Sequence, residues 1–155
     1  MSYNIFLDTN ALIDILVDYQ TPTTYDKIRS DAKLALKTKI YIAELIKNNP
    51  DIKLFINTTT VTNVFFILTN RQKISKSLVA SQILNLHKQK ELFTVVCEGD
   101  IIREAALNYC IQTDADYEDA LQYFCALKHN CKAIITNDKN FPDIDIKLIR
   151  TYQEA

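Results

Sequence analysis

The sequence predicts an α/β domain with a mainly parallel central sheet of four or five strands. Two observations lead to this fold class. Short apolar runs rich in β-branched residues alternate with helical patterns along the chain, and no internal repeat, low-complexity tract or linker interrupts them. The 155 residues are enough to bury one core, so the expected organisation is a single domain, residues 1–155.

The first elements are a strand and two helical segments. Residues 4–7 are predicted to form an apolar strand, and residues 10–17 a mostly apolar helix that ends before Pro22. Residues 31–49 carry spaced apolar positions among lysines, which indicates one long helix or two short ones, closed by Pro50.

The middle of the chain repeats this alternation. Residues 53–57 (KLFIN) are predicted as a second strand, and a threonine cluster, residues 58–60, is expected to cap the helix VTNVFFILTN. Ser75 is expected to begin the next helix, and residues 92–96 (LFTVV) are predicted as a third strand.

The last third continues in the same order. A helix is expected from Asp100 through Tyr109, and a second one over residues 116–130. Residues 132–136 and 146–149 are the predicted fourth and fifth strands. In parallel sheets, ligands bind outside the carboxyl ends of the strands, so acidic residues that follow strands are expected to meet at one edge.

The composition excludes several classes of protein. With Gly99 as its one glycine, the chain has neither a P-loop nor a dinucleotide-binding turn. His87 and His129 are its two histidines, so a zinc site built on several histidines is excluded. The four cysteines lack a C-x-x-C pair, and the chain lacks a signal peptide or an apolar run that could span a bilayer, which predicts a cytoplasmic protein with reduced thiols.

Carboxylates occur at three places that should meet at the edge formed by the carboxyl ends of the strands. Asp8 follows the first strand, Asp116 and Asp119 lie at a predicted helix start, and Asp138 follows the fourth strand. Asp116 and Asp119 are three residues apart, so they lie on one helical face, whereas Glu118 points elsewhere, as a solvent or supporting residue. Each acid alone could equally be a turn former or a helix-start residue.

Together these acids predict a different role. Converging carboxylates repel one another unless a cation neutralises them, and hard oxygen ligands suit Mg²⁺ or Mn²⁺. Such an ion can polarise a phosphoryl oxygen and supply a water nucleophile, so the pattern favours metal-dependent cleavage of a phosphodiester.

Three stretches, IFLDTNALID, DYEDALQYFCAL and AIITNDKNF, resemble the PIN domain ribonucleases, including toxins of the VapC type. Their order and spacing match along essentially the whole chain, most closely in a bacterial branch with a D-[FY]-E-D-A-L-Q segment. The resemblance implies a three-layer α/β/α sandwich, a homodimer, an RNA substrate and, for many members, a cognate antitoxin. It also implies cleavage that leaves 5′-phosphate and 3′-hydroxyl ends.

The resemblance assigns roles to individual residues. It implies that Asp8, Asp119 and Asp138 coordinate Mg²⁺ or Mn²⁺, and that Asp116 assists them. Asn10 falls at a small polar position near the metal, as does Thr9, and the Thr136 hydroxyl is expected to support Asp138.

Asn63 departs from the family pattern, because PIN nucleases usually carry a glutamate on the helix after the second strand. An amide oxygen can ligate weakly or hold a metal-bound water, but it adds no charge. Asp116 is expected to make up this charge, with Glu44 as a weaker substitute. Asn63 also motivates an alternative: a weakly active or inactive PIN-like module that binds RNA or a protein.

Arg71 and Lys73, which follow the Asn63 helix, are predicted to contact RNA phosphates.

A third alternative is a phosphohydrolase with Asp8 as covalent nucleophile. It ranks low, because such enzymes require D-x-D and this chain has Asp8-Thr9-Asn10.

Overall fold

The computed structural model describes residues 3–17 and 32–153. The strands of this part are β1 (Tyr3–Leu7), β2 (Ile52–Asn57), β3 (Phe93–Val96), β4 (Ala133–Ile135) and β5 (Lys147–Ile149). Its α-helices are α1 (Thr9–Leu16), α2 (Ala32–Asn48), α3 (Thr58–Phe66), α4 (Lys76–Lys88), α5 (Asp100–Thr113) and α6 (Tyr117–Lys128). A π-helical turn, Ile67–Arg71, continues α3, and a 3-10 turn, Thr151–Gln153, follows β5.

The five strands form one sheet in the order β3-β2-β1-β4-β5, and every pairing is parallel. The chain moves outward from β1 to β3 on one side and then returns to β4 and β5 on the other. The strand order therefore reverses between β1 and β4, which is the position where open α/β sheets bind ligands. Because β1 is central, the residue that follows it lies in the middle of the carboxyl edge.

Helices cover both faces of the sheet. Side chains alternate along β1, so that Ile5 and Leu7 pack in one buried cluster and Phe6 in another. The first cluster includes Ile42 of α2 and Val64 of α3, and the second includes residues of α5 and α6. All three β1 side chains are fully buried, which explains the continuous apolar run. The expected three-layer α/β/α fold class is confirmed, including the fifth strand.

Some element boundaries differ from the expectations. Helix α2 is a single helix from Ala32, and residue 31 and Pro22 lie outside the described residues. Helix α5 continues to Thr113, four residues past the expected end at Tyr109, and closes on Asp114 in the left-handed conformation with φ 59°. Within residues 3–17 and 32–153, no helix has both the length and the apolar character needed to cross a bilayer.

The expected threonine cap of α3 is wrong. Thr58 to Thr60 are the first residues of the helix itself, and Asn57 at the cap position makes no side-chain cap hydrogen bond. Glu98, which follows β3, supplies the cap instead: it accepts hydrogen bonds from the Thr58 hydroxyl at 2.9 Å and the Thr59 N–H at 3.1 Å. This cap comes from a distant part of the chain, so local sequence does not reveal it.

Candidate active site

Strand β1 delivers Asp8 to the centre of the carboxyl edge. Its side chain is only 5% exposed, and Oδ1 accepts a hydrogen bond from the Ala11 N–H at 2.8 Å, which caps α1. Its backbone N–H donates to the Ile135 carbonyl at 3.2 Å, which ties it to the end of β4. Asp8 is thus fixed by the helix that follows it and by the neighbouring strand.

Helix α6 contributes the next two acids from its first turn. Asp116 is the N-cap residue, and its Oδ1 accepts a hydrogen bond from the Asp119 N–H at 3.1 Å. Ala120 and Leu121 are buried in the core, which holds the start of α6 against the sheet. The cap and the core contact together place the Asp116 and Asp119 carboxyl groups at the same edge as Asp8.

Asp138 reaches this edge from the turn after β4. Its backbone N–H donates to the Thr136 hydroxyl at 3.2 Å, and its Oδ1 accepts from the Asn140 N–H at 2.9 Å. Arg150 Nη2 also donates to the Asp138 carbonyl at 3.2 Å. The predicted support from Thr136 thus acts on the backbone of Asp138 rather than on its carboxylate.

The other three acids act electrostatically on Asp119. The pKa of Asp119 is raised to about 8, first by burial, then by a hydrogen bond with the Asp138 carboxyl, and further by the charges of Asp138, Asp116 and Asp8. The Asp119 carboxyl group therefore favours its protonated form at neutral pH. The expectation that acids distant in sequence meet at the carboxyl edge of the sheet is confirmed.

Three of these acids, Asp116, Asp119 and Asp138, line an open pocket of about 460 Å³. The residues that line it are Asp114, Ala115, Asp116, Asp119, Asp138 and Asn140. Among the described residues, the lining contains no cationic side chain, and its oxygen donors suit a hard divalent cation. In the described part of the chain, no three His, Cys, Asp or Glu side chains stand close enough together to hold an ion as they are. An ion here would have to displace a proton from Asp119.

A second group of polar side chains lies beside the first. Asn63 Nδ2 donates to Glu118 Oε2 at 2.9 Å, and the Thr9 hydroxyl donates to Glu118 Oε1. Glu118 is half-buried and contacts both side chains, and its role as a supporting residue stays a prediction. The carboxylate that accepts a hydrogen bond from Asn63 is therefore that of Glu118. Compensation of the missing charge by Asp116 or Glu44 stays a prediction.

The remaining predicted residues lie at varying distances from the pocket. Asn10 is exposed in the first turn of α1. Arg71 ends the π-helical turn, eight residues beyond Asn63, or about 12 Å along the axis at 1.5 Å per residue. Lys73 follows it with a left-handed backbone, φ 58°. Arg71 and Lys73 are both exposed but are not part of the pocket, so their contact with RNA stays a prediction.

Sequence reasoning missed Glu98, Gln122 and Arg150. Gln122 lies one helical turn after Glu118, and that spacing was the available indication that the two side chains share a face. Glu98 and Arg150 carry no such indication, because each contacts a segment far away in the sequence.

Comparison with known families and proteins agrees with this geometry. The profile of the PIN domain family matches residues 5–147. Ribonuclease VapC1 of Aquifex aeolicus (strain VF5) is 28% identical over 150 residues, which cover 97% of this chain and 92% of that protein.

Two solved structures share the fold. The crystal structure of Mycobacterium tuberculosis VapC20, a Sarcin-Ricin loop cleaving toxin, aligns with a TM-score of 0.63 at 11% identity, covering 92% of this chain and 98% of that one. A toxin-antitoxin complex from Klebsiella pneumoniae aligns with a TM-score of 0.56 at 19% identity, covering 96% and 98%. At these identities, the two structures support the fold alone.

Proposed function

Because the chain belongs to the PIN domain family, we propose that it is a metal-dependent endoribonuclease, the toxin of a type II toxin–antitoxin pair. The observation that carries this proposal is the convergence of Asp119 with Asp138, Asp116 and Asp8 at the carboxyl edge, which raises the pKa of Asp119 to about 8. The similarity to Ribonuclease VapC1 supports RNA as the substrate.

In this proposal, Asp8, Asp119 and Asp138 hold Mg²⁺ or Mn²⁺. When bound, such an ion polarises a phosphoryl oxygen and lowers the pKa of a water molecule. Asp119 would give up its proton when the ion binds, because a ligating carboxylate must be ionised. Asp8 stays in place through its hydrogen bond with the Ala11 N–H.

Asp116 is the residue that we assign to the attacking water. It is exposed at the mouth of the pocket, and its Oδ1 accepts the Asp119 N–H, which fixes the direction of the carboxylate. Asp116 would orient the water and accept its proton while the water oxygen bonds to phosphorus. The bond from phosphorus to the 3′ oxygen would break, and the leaving oxygen would take up a proton from solvent water, which gives 5′-phosphate and 3′-hydroxyl ends.

An RNA cleavage assay tests this function. The purified protein is expected to cut a mixed RNA pool in the presence of Mn²⁺ or Mg²⁺, and both EDTA and Asp8→Asn are expected to abolish cleavage. Asp8→Asn keeps an oxygen that can cap α1, so circular dichroism should show an intact fold. Cleavage that survives both treatments would contradict the mechanism.

We also propose an antitoxin protein and a second copy of the chain as partners. The fold similarity to a toxin-antitoxin complex supports the antitoxin, and the PIN family resemblance supports the homodimer. Light scattering on the purified chain would decide the second point, since a mass of 17.8 kDa would exclude a dimer. For the antitoxin, we expect that co-expression of a neighbouring small open reading frame removes the toxicity of this chain to cells.

A further inference from the structure

Asn63 and Glu118 form a complementary pair at the site. Asn63 occupies the position on α3 where the PIN resemblance predicts an acid, and its amide donates to Glu118 at 2.9 Å. A glutamate at position 63 would bring a second carboxylate against Glu118, with the repulsion that this costs. The Asn63 amide avoids this repulsion, so Asn at position 63 is compatible with Glu at position 118.

A buried hydrogen-bond network holds the Glu118 carboxylate. Gln122 is fully buried, and its Nε2 donates to the Thr9 hydroxyl at 2.9 Å and to the Thr60 hydroxyl at 2.7 Å. The Thr9 oxygen accepts from Gln122, so its own proton is directed to Glu118. The Thr60 proton goes in the same way to Asn57. Glu118 thus receives donors from α1 and α3 while it stands on α6.

Glu118 and Asp119 leave α6 toward two different neighbours of the site. They are neighbours on α6 and point about 100° apart around the helix axis. Asp119 lies toward β4, where it contacts Asp138, and Glu118 lies toward α3, where it contacts Asn63. Thr9, which donates to Glu118, directly follows Asp8. The acidic group on the α3 side of the site is therefore carried by α6.

We propose that Glu118 is the fourth acidic group of the site, a positioning residue that replaces the usual acid on α3 and is held by Asn63. This inference rests on the proposed function, because it assigns a role toward the same divalent cation. Glu118 adds negative charge next to Asp8 and fixes the Thr9 hydroxyl beside it. Glu118 would thereby increase the affinity of the site for the ion.

Calorimetric titration of the full-length protein with Mn²⁺ alone tests this inference without any RNA. Glu118→Gln keeps the size of the side chain and removes its charge, and we expect Mn²⁺ affinity to fall about tenfold, as for other outer-shell partners of metal sites. Glu104→Gln is the matched control: it removes an exposed acid from α5, and Mn²⁺ affinity should stay within about twofold of the wild type.

A charge exchange separates positioning from simple packing. Asn63→Glu combined with Glu118→Gln returns the carboxylate to α3 and the amide to α6. We expect this double variant to recover Mn²⁺ affinity to within about twofold of the wild type, while Asn63→Glu alone lowers the melting temperature by crowding two carboxylates. A purely structural Glu118 would change the melting temperature in Glu118→Gln but leave Mn²⁺ affinity unchanged.

The inference is overturned by either of two results. One is Glu118→Gln binding Mn²⁺ as tightly as the wild type; the other is a folded double variant that binds as weakly as Glu118→Gln. Failure of the proposed function would look different. In that case, the wild type would bind Mn²⁺ and respond to these substitutions, but would not cleave RNA.

Discussion

Asp119 and Glu98 are carboxyl groups at the same edge of the same sheet, yet their surroundings are opposite. Burial and the neighbouring acids raise the pKa of Asp119 to about 8. Burial also acts to raise the pKa of Glu98, but hydrogen bonds from Thr59 and Thr58 outweigh it, and the pKa lies below its ordinary value. Burial and nearby negative charges surround Asp119, whereas Glu98 accepts hydrogen bonds from the first turn of α3.

The comparison shows how a structural carboxylate differs from a ligand-binding one. Glu98 is 6% exposed and meets the positive end of a helix dipole, so its charge stabilises the fold. Asp119 lies close to three other acids beside an open pocket, so when it is ionised its charge destabilises the fold until a cation binds. Neutralising Asp119 should therefore weaken metal binding and raise stability. Neutralising Glu98 should lower stability and leave metal binding unchanged.

The largest expected effect comes from Asp119→Asn. RNA cleavage should fall by at least about 100-fold, because the variant removes a charged ligand from the metal site. At pH 8.5 without metal, the same variant should be more stable than the wild type, since the repulsion disappears. RNA cleavage rates and urea unfolding at that pH measure the two effects. A variant that loses activity and stability together would indicate that Asp119 is structural, like Glu98.

The Glu98→Gln variant is expected to show the opposite behaviour. Losing a charged cap should lower the free energy of unfolding at pH 7 by about 1–2 kcal/mol, while Mn²⁺ affinity stays the same. Because the folded pKa is depressed, this contribution is present above the ordinary value of 4.5 and disappears as the pH falls through the folded pKa. Urea unfolding at pH 7 and at pH 3 checks this, and an equal loss at both would contradict it.

The smallest expected effect comes from Arg71→Ala and Lys73→Ala. These residues lie away from both carboxylates, so neither Mn²⁺ affinity nor the free energy of unfolding should change noticeably. RNA affinity should fall severalfold for every sequence, and the salt dependence should decrease by about one charge for each substitution. Filter binding at several salt concentrations measures this. Unchanged binding would mean that RNA follows a different path to the pocket.

Much of the fold followed from local patterns. Strand residues such as Ile5 to Leu7 are buried on both faces and are therefore uniformly apolar, so their position is legible in the sequence. The parallel topology then brings Asp8, Asp119 and Asp138 to one edge, because that edge is where such strands end. The acids that meet at this edge could be predicted for this reason.

The contacts that could not be predicted join distant segments of the chain. Glu98 caps α3 across 40 positions of sequence, and Glu118 contacts Thr9 across 109. Their neighbours in the sequence give no information about these partners. The substitution at Asn63 was visible, but its compensation by Glu118 appears only when α6 is packed against α3.

Calorimetry with Mn²⁺ at pH 7, in buffers of different ionisation enthalpy, tests the central claim most directly. Because the pKa of Asp119 is about 8, the wild type should bind Mn²⁺ and release about one proton per ion, whereas Asp119→Asn should bind far more weakly and release none. Raising the pH to 9 should remove most of the proton release. The account is contradicted if millimolar Mn²⁺ does not bind, or if Asp119→Asn binds it with the same affinity and proton release as the wild type.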